Sequence, residues 1–182
     1  MSTLYVMVGI PASCKSTHTA KLTEKGGIIV SSDLMRAETF GDEDIQYTEE
    51  WLKEQGYDGA QDVRSKEIFG NSKMFDLAYK RCSEKLAQGS DVIFDSTACS
   101  RKARKFILDN VTNADRCICM VMAVPFDVCC KRNKMRDRTV SDSVMSRIAG
   151  NFEFPMPDEG FDEIIYCGEK SDIDYGEGKK GL

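Results

Sequence analysis

The chain opens on a short apolar run, Leu4-Tyr5-Val6-Met7-Val8, that stops at Gly9 and gives way to a polar, helix-compatible stretch over residues 16–25. A brief run of this kind bounded by glycine predicts a strand, and the wider apolar spacing that follows predicts a helix. The alternation then repeats. Further strands are predicted at residues 28–30, 91–94, 117–124 and, more weakly, 163–167. Between them, helical patterns cover residues 33–40, 65–88, 101–111, 127–135 and 141–152; the long second one carries Gly70 and stops at Gly89. Strands alternating with helices imply an α/β fold: a doubly wound, mainly parallel sheet with helices on both faces.

Residues 41–61 break the rhythm with a charged, glycine-punctuated stretch that holds the only tryptophan, Trp51. The pattern predicts an acidic surface loop anchored by Trp51, with a helical insertion over the acceptor site as the alternative. The last stretch, residues 168–182, is rich in glycine and acidic residues and offers little to bury, so a flexible tail is expected there. At 182 residues with 41% hydrophobic and 30% charged positions, the chain suits a single domain over residues 1–167. No apolar run approaches the roughly 20 residues that span a bilayer, and the first residues lack a leader pattern. A cytoplasmic protein with no membrane partner is expected. Eight scattered cysteines and one histidine, His18, include no CxxC pair, which argues for reduced thiols over a zinc site, with Cys117, Cys119 and Cys129 filling the core. His18 is expected to pack or to face solvent.

Charge is uneven. The net is −5, with nine acidic residues against one lysine between Glu38 and Asp62, and nine against three from Glu153 onward. Between Arg101 and Arg147, eleven basic residues face five acidic ones, a candidate anion-binding face or simply an uneven solvated surface.

The most informative string is Gly9-Ile10-Pro11-Ala12-Ser13-Cys14-Lys15-Ser16-Thr17. It follows the phosphate-loop pattern G-x-x-x-x-G-K-[ST], except that Cys14 stands where the second glycine belongs. Its place at the first strand-to-helix junction lets backbone N–H groups converge on phosphate at a helix N-terminus. Gly9, Ser13, Cys14, Lys15, Ser16 and Thr17 are thus the candidate ATP cradle, with Lys15 reaching the β/γ-phosphates and the Ser16 hydroxyl ligating Mg²⁺. Cys14 carries a Cβ where glycine would give backbone freedom, so weaker ATP binding is one expectation. A thiol beside Lys15 at a helix N-terminus also suggests redox sensitivity, against the alternative that the cysteine is merely tolerated.

Asp33, just after the second strand, is a candidate general base for an attacking hydroxyl, or else only a cap for the next helix. Arg36, one turn later, could hold an acceptor phosphate. Asp95 ends its apolar strand beside the loop, where a carboxylate can orient Mg²⁺, its water or a basic catalytic group. The basic hinge over residues 131–138 is a candidate lid, in which Arg132 and Arg136 meet the nucleotide; a solvated basic turn is the alternative.

Together these pieces resemble the kinase domain of phage-type polynucleotide 5′-hydroxyl kinases over residues 4–152. The resemblance rests on the phosphate-loop string, on Asp33 with Arg36, on Asp95, and on Val124-Pro125-Phe126-Asp127 leading to Lys131-Arg132-Asn133 and Arg136. It implies a P-loop NTPase-like fold with a basic lid. It also implies that Lys15 and Ser16 serve ATP and Mg²⁺, Asp33 the base, Arg36 the phosphate clamp, Asp95 an essential acidic role and Arg136 the lid. Two departures are Cys14 and the acidic insertion. The expected activity is transfer of the γ-phosphate of ATP to a hydroxyl, foremost the 5′-OH of DNA or RNA. A small-molecule alcohol as acceptor, or a non-catalytic nucleotide-binding module, are the alternatives.

Overall fold

A computed structural model of the chain describes residues 1–41, 47–59, 62–168 and 173. Five strands, β1 (Thr3–Val8), β2 (Ile28–Val30), β3 (Val92–Asp95), β4 (Arg116–Met122) and β5 (Glu163–Cys167), form one parallel sheet in the order β2-β3-β1-β4-β5. Because β1 is central, its side chains are buried on both faces, which is why its sequence is almost continuously apolar instead of alternating. The strand period still sorts them. Leu4, Val6 and Val8 join Val92, Phe94, Cys119 and Val121 on one face, while Met7 joins Ile93, Ile118, Met120 and Met122 on the other.

Among the described residues seven α-helices connect and cover the strands: α1 (Lys15–Thr23), α2 (Ser32–Phe40), α3 (Glu49–Glu54), α4 (Val63–Ala87), α5 (Arg101–Asn110), α6 (Phe126–Asn133) and α7 (Asp142–Gly150). Met74, Ala78, Cys82 and Leu86 of α4 and Ile107 of α5 pack on the first face. Leu22 of α1 packs on the second. A third cluster, Ile10, Cys99, Cys129, Met145 and Ala149, seats α6 and α7 beneath the loop that follows β1. Among the described residues no helix is long and apolar enough to cross a membrane.

The insertion departs from the expected loop. Residues 49–54 are helical, because Thr48 accepts from the N–H of Trp51, Glu49 and Glu50 fall in the first turn, and Lys53 falls in the last. Trp51 is nonetheless the anchor: its ring stacks on Tyr47 at 5.4 Å and meets Phe40 edge-on at 5.5 Å. Gly70 is also more than tolerated, since a Cβ there would lie 2.3 Å from the Tyr47 ring. The remainder of the insertion, residues 42–46 and 60–61, lies outside the described residues, as does the expected flexible tail apart from residues 168 and 173. Ile173, the one described residue past 168, is a member of the core on the α4 and α5 face.

The expected basic face is partly neutralised. Arg101 pairs with Asp158, Arg104 with Glu159 and Arg116 with Glu163, so the acidic block after Glu153 is the partner of the basic block before it. Lys105 and Lys131 pair within their own helices, with Asp109 and Asp127.

Candidate active site

The loop from Gly9 to Cys14 turns the chain from the end of β1 into α1. The two positions with the strongest backbone demand are Ala12 (φ 61°) and Cys14 (φ 69°, ψ 22°), both in the left-handed region that favours glycine. Cys14 occupies the N-cap of α1, so its missing glycine matters for dihedral freedom. The demand at Ala12 was not legible in the motif. Gly9 fixes the other end: its N–H donates to the carbonyl of Thr97 at 3.0 Å, and a Cβ there would lie 2.5 Å from Ser13 Oγ.

Lys15 Nζ donates to the carbonyls of Gly9 (2.7 Å) and Ile10 (3.0 Å), and does not turn to the thiol. Burial holds its pKa below the ordinary lysine value; the charge of Asp95 opposes that shift and Arg136 adds to it. The Cys14 sulfur instead accepts from Arg132 Nη1 at 2.9 Å. Ser16 and Thr17 are exposed on the first turn of α1, while Ser13 Oγ is buried with no hydrogen-bond partner among the described residues. Ser96 Oγ, next to Asp95, is also buried and unpartnered among them. Orphaned hydroxyls at the loop, an exposed Ser16 hydroxyl and the Asp95 carboxylate form a hard-oxygen set that suits Mg²⁺ and phosphate.

Asp95 leaves β3 in register with Met7 of β1, which puts its carboxyl one strand from the loop. Burial raises its pKa, Lys15 pulls it back and the charge of Asp33 raises it further. Asp33, Asp95 and Lys15 therefore share one electrostatic neighbourhood.

Asp33 does not cap α2. Ser31 does that, accepting from the N–H of Leu34 at 3.1 Å. Asp33 is half exposed and ion-pairs with Arg36, whose Nε donates to Tyr47 Oη at 2.9 Å and whose Nη2 donates to Asn71 Oδ1 at 2.5 Å. Burial works against the Arg36 charge, but the hydrogen bond to Tyr47 and the carboxylate of Asp33 outweigh it and raise its pKa. Tyr47 and Asn71 escaped sequence reasoning because they come from the insertion and from the middle of α4, with no motif to connect them.

Of the expected lid residues, Arg132 lies on α6 and Arg136 in the exposed turn after it, close enough for its charge to depress Lys15. The turn is closed by buried Asn133, whose amide donates to Val140 O (2.6 Å) and accepts from Val140 N (3.0 Å). A second missed element braces the loop after β3. Arg104, fully buried, makes a two-pronged pair with Glu159 (2.6 and 2.8 Å) and donates to the carbonyl of Ala98 at 3.1 Å. Thr97, which holds Gly9, precedes that residue. The available signal was an arginine on the apolar stripe of α5.

Cys82, Cys99, Cys119 and Cys129 are core residues. Cys99 and Cys129 are pushed up to about 11 and Cys119 to about 12 by burial, so these thiols stay protonated at neutral pH. Cys117 is only half-buried. His18 is half-buried as well, and burial lowers its pKa.

No curated protein matches the sequence. Among solved structures, a sugar kinase from Janibacter sp. HTCC2649 superposes with a TM-score of 0.59 at 14% identity, over 95% of this chain and 90% of that one. Kti12 of Chaetomium thermophilum in complex with ADP-AlF3 gives 0.60 at 15% identity, over 93% of each chain. A chain of the Pnkp1/Rnl/Hen1 RNA repair complex gives 0.62 at 16% identity, over 81% of this chain but 42% of that one. At such identities the likeness is one of fold. The family profile described as AAA domain, AAA_33, matches residues 4–155, which take in the candidate site residues and the four strands β1 to β4. By that match and this architecture, the chain belongs to the AAA_33 family of AAA domains, with the P-loop NTPase fold.

Proposed function

We propose that the chain is a kinase that transfers the γ-phosphoryl group of ATP to an alcohol. The observation that carries this reading is the convergence of Lys15, Asp95, Asp33 and Arg136: a loop lysine under the influence of a strand-end carboxylate and a lid arginine, with a second carboxylate sensed by the first. The loop backbone and Lys15 hold the phosphates, with Lys15 exchanging its grip on the Gly9 and Ile10 carbonyls for phosphate oxygens. Ser16 and Asp95 would hold Mg²⁺, which when bound draws charge off the β/γ-phosphate oxygens. Asp33 takes the proton of the acceptor hydroxyl as its oxygen bonds to the γ-phosphorus and the bond to the leaving ADP oxygen breaks. Arg132 and Arg136 approach from the lid side and stabilise charge on the transferring group.

Two acceptors fit this chemistry. The 5′-OH of DNA or RNA is supported by the resemblance to polynucleotide kinases and by the fold of the RNA repair protein. A small-molecule alcohol is supported by charge, because Arg101, Arg104 and Arg116 of the basic block are paired with carboxylates beyond it and the segment around α3 is acidic. Incubation with γ-labelled ATP, Mg²⁺ and a panel of 5′-OH oligonucleotides, nucleosides, sugars and polyols tests the reading. Label on an alcohol is the expected outcome. Nucleotide binding with no transfer to any member of the panel would overturn it in favour of a non-catalytic nucleotide-binding module.

A further inference from the structure

A phosphate clamp needs a guanidinium that is free to present its N–H groups, and Arg36 is not in that state. Its three nitrogens each donate to a protein oxygen: Nη1 to Asp33, Nε to Tyr47 and Nη2 to Asn71. The side chain is only 13% exposed. The partners brace one another as well, since the Tyr47 hydroxyl donates to Asn71 Oδ1 at 2.9 Å. Tyr47 is wedged against Gly70 and stacked on Trp51, so the whole assembly depends on the insertion and α4. With its charge balanced by Asp33, one N–H of each nitrogen engaged and its side chain largely enclosed, Arg36 has only the second N–H of each terminal nitrogen to offer an incoming phosphate while Tyr47 and Asn71 hold it.

Among the described residues, those lining the hollow beside Tyr47 supply no unpaired cation. The hollow beside Tyr47 is lined by Glu49, Val63, Lys66 and Glu67, and its one lysine is already paired with Glu49 at 2.6 Å. An anion entering here would meet carboxylates and a spent lysine, whereas a neutral hydroxylated molecule would meet an aromatic ring and hydrogen-bonding groups.

We infer that Tyr47 and Asn71 determine specificity: by committing Arg36 to Asp33 they select a small, uncharged alcohol and disfavour one that carries a phosphate beside the reacting hydroxyl. This rests on the kinase reading. Arg36 then serves to orient Asp33, and Tyr47 and Asn71 are positioning residues that act through it.

The test uses matched acceptors that differ only by a phosphate: adenosine against adenosine 3′-monophosphate, and glycerol against glycerol 3-phosphate. Steady-state kinetics are measured on the full chain and on Tyr47→Phe, Asn71→Ala and Asn71→Asp, with thermal unfolding to verify that each variant folds. For the unaltered chain, kcat/KM should favour the neutral member of at least one pair. Tyr47→Phe keeps the ring and removes the hydroxyl, and Asn71→Ala removes the amide; each frees a donor on Arg36. Each should shift the preference toward the phosphate-bearing member by about tenfold or more, mainly through KM, as expected for one charge-assisted hydrogen bond. Asn71→Asp tightens the hold on Arg36 and should shift it the other way. A preference for the phosphate-bearing member in the unaltered chain, or ratios unmoved in every folded variant, would overturn the inference and leave the kinase reading standing. Label on 5′-OH oligonucleotides alone, with neither neutral alcohol accepted, would do the same. Absence of transfer to every alcohol in the wider panel would remove both.

Discussion

Arg132 donates a hydrogen bond to the sulfur of Cys14, which joins the helix before the lid to the N-cap of α1 across 118 positions of sequence. Cys14 makes this contact from a left-handed backbone conformation, without capping α1 through its side chain. Where a glycine would offer Arg132 no side-chain acceptor, this chain offers it a thiol.

Replacing Cys14 by glycine should therefore have two separable effects. Relief of the left-handed backbone is worth about 1 kcal/mol, or about 2–4 °C in melting temperature for a chain of this size. Release of Arg132 should tighten ATP binding, measured by titration calorimetry. In the unaltered chain, MgATP should slow alkylation of Cys14 by iodoacetamide, read by peptide mass spectrometry; an unchanged rate would place the thiol away from the nucleotide.

Asp33→Asn keeps the shape of the side chain and removes its basicity. Turnover should fall by about 10²- to 10⁴-fold, as for loss of a general base, with ATP affinity nearly unchanged. Equal loss of both would contradict the assignment.

Asp95 makes a pH-dependent prediction. Burial raises its pKa in the folded chain above its unfolded value, so the folded state loses stability as pH rises through that raised pKa and Asp95 ionises. Asp95→Asn stays neutral and avoids that loss. The variant should melt above the unaltered chain at neutral pH, with the gap closing as pH falls toward the unfolded carboxyl value of about 3.9. Its turnover should drop, a trade of stability for function.

The Arg104–Glu159 pair is enclosed, at 0% and 3% exposure, so removing one member strands the other charge. Arg104→Met should cost about 3–5 kcal/mol in chemical denaturation, and the further change Glu159→Leu should restore most of it. The single variant should also weaken nucleotide binding, because the loop that holds Gly9 through Thr97 loses its brace at Ala98.

Much of this was legible in the chain. Strands buried on both faces read as unbroken apolar runs, and β1 to β5 fell where the runs did; the phosphate loop announced itself by spacing. What stayed hidden depends on partners far apart in sequence. Tyr47, Asn71 and Arg36 meet only because α2, the insertion and α4 pack together, and Arg104 finds Glu159 only after β4 and two more helices intervene. Charge counting misled for the same reason: the net +6 over residues 101–147 is real, but tertiary structure hands much of it to carboxylates outside that window.

The amide of Asn133 clasps both backbone groups of Val140, so the segment carrying Arg136 is a preformed ring and not a slack strap. Its two stems, α6 and α7, are set in the apolar cluster that contains Ile10. A shift of that turn as a body is thus tied to α6 and α7, as a paddle is to its shaft, and through their shared cluster to Ile10 in the loop after β1.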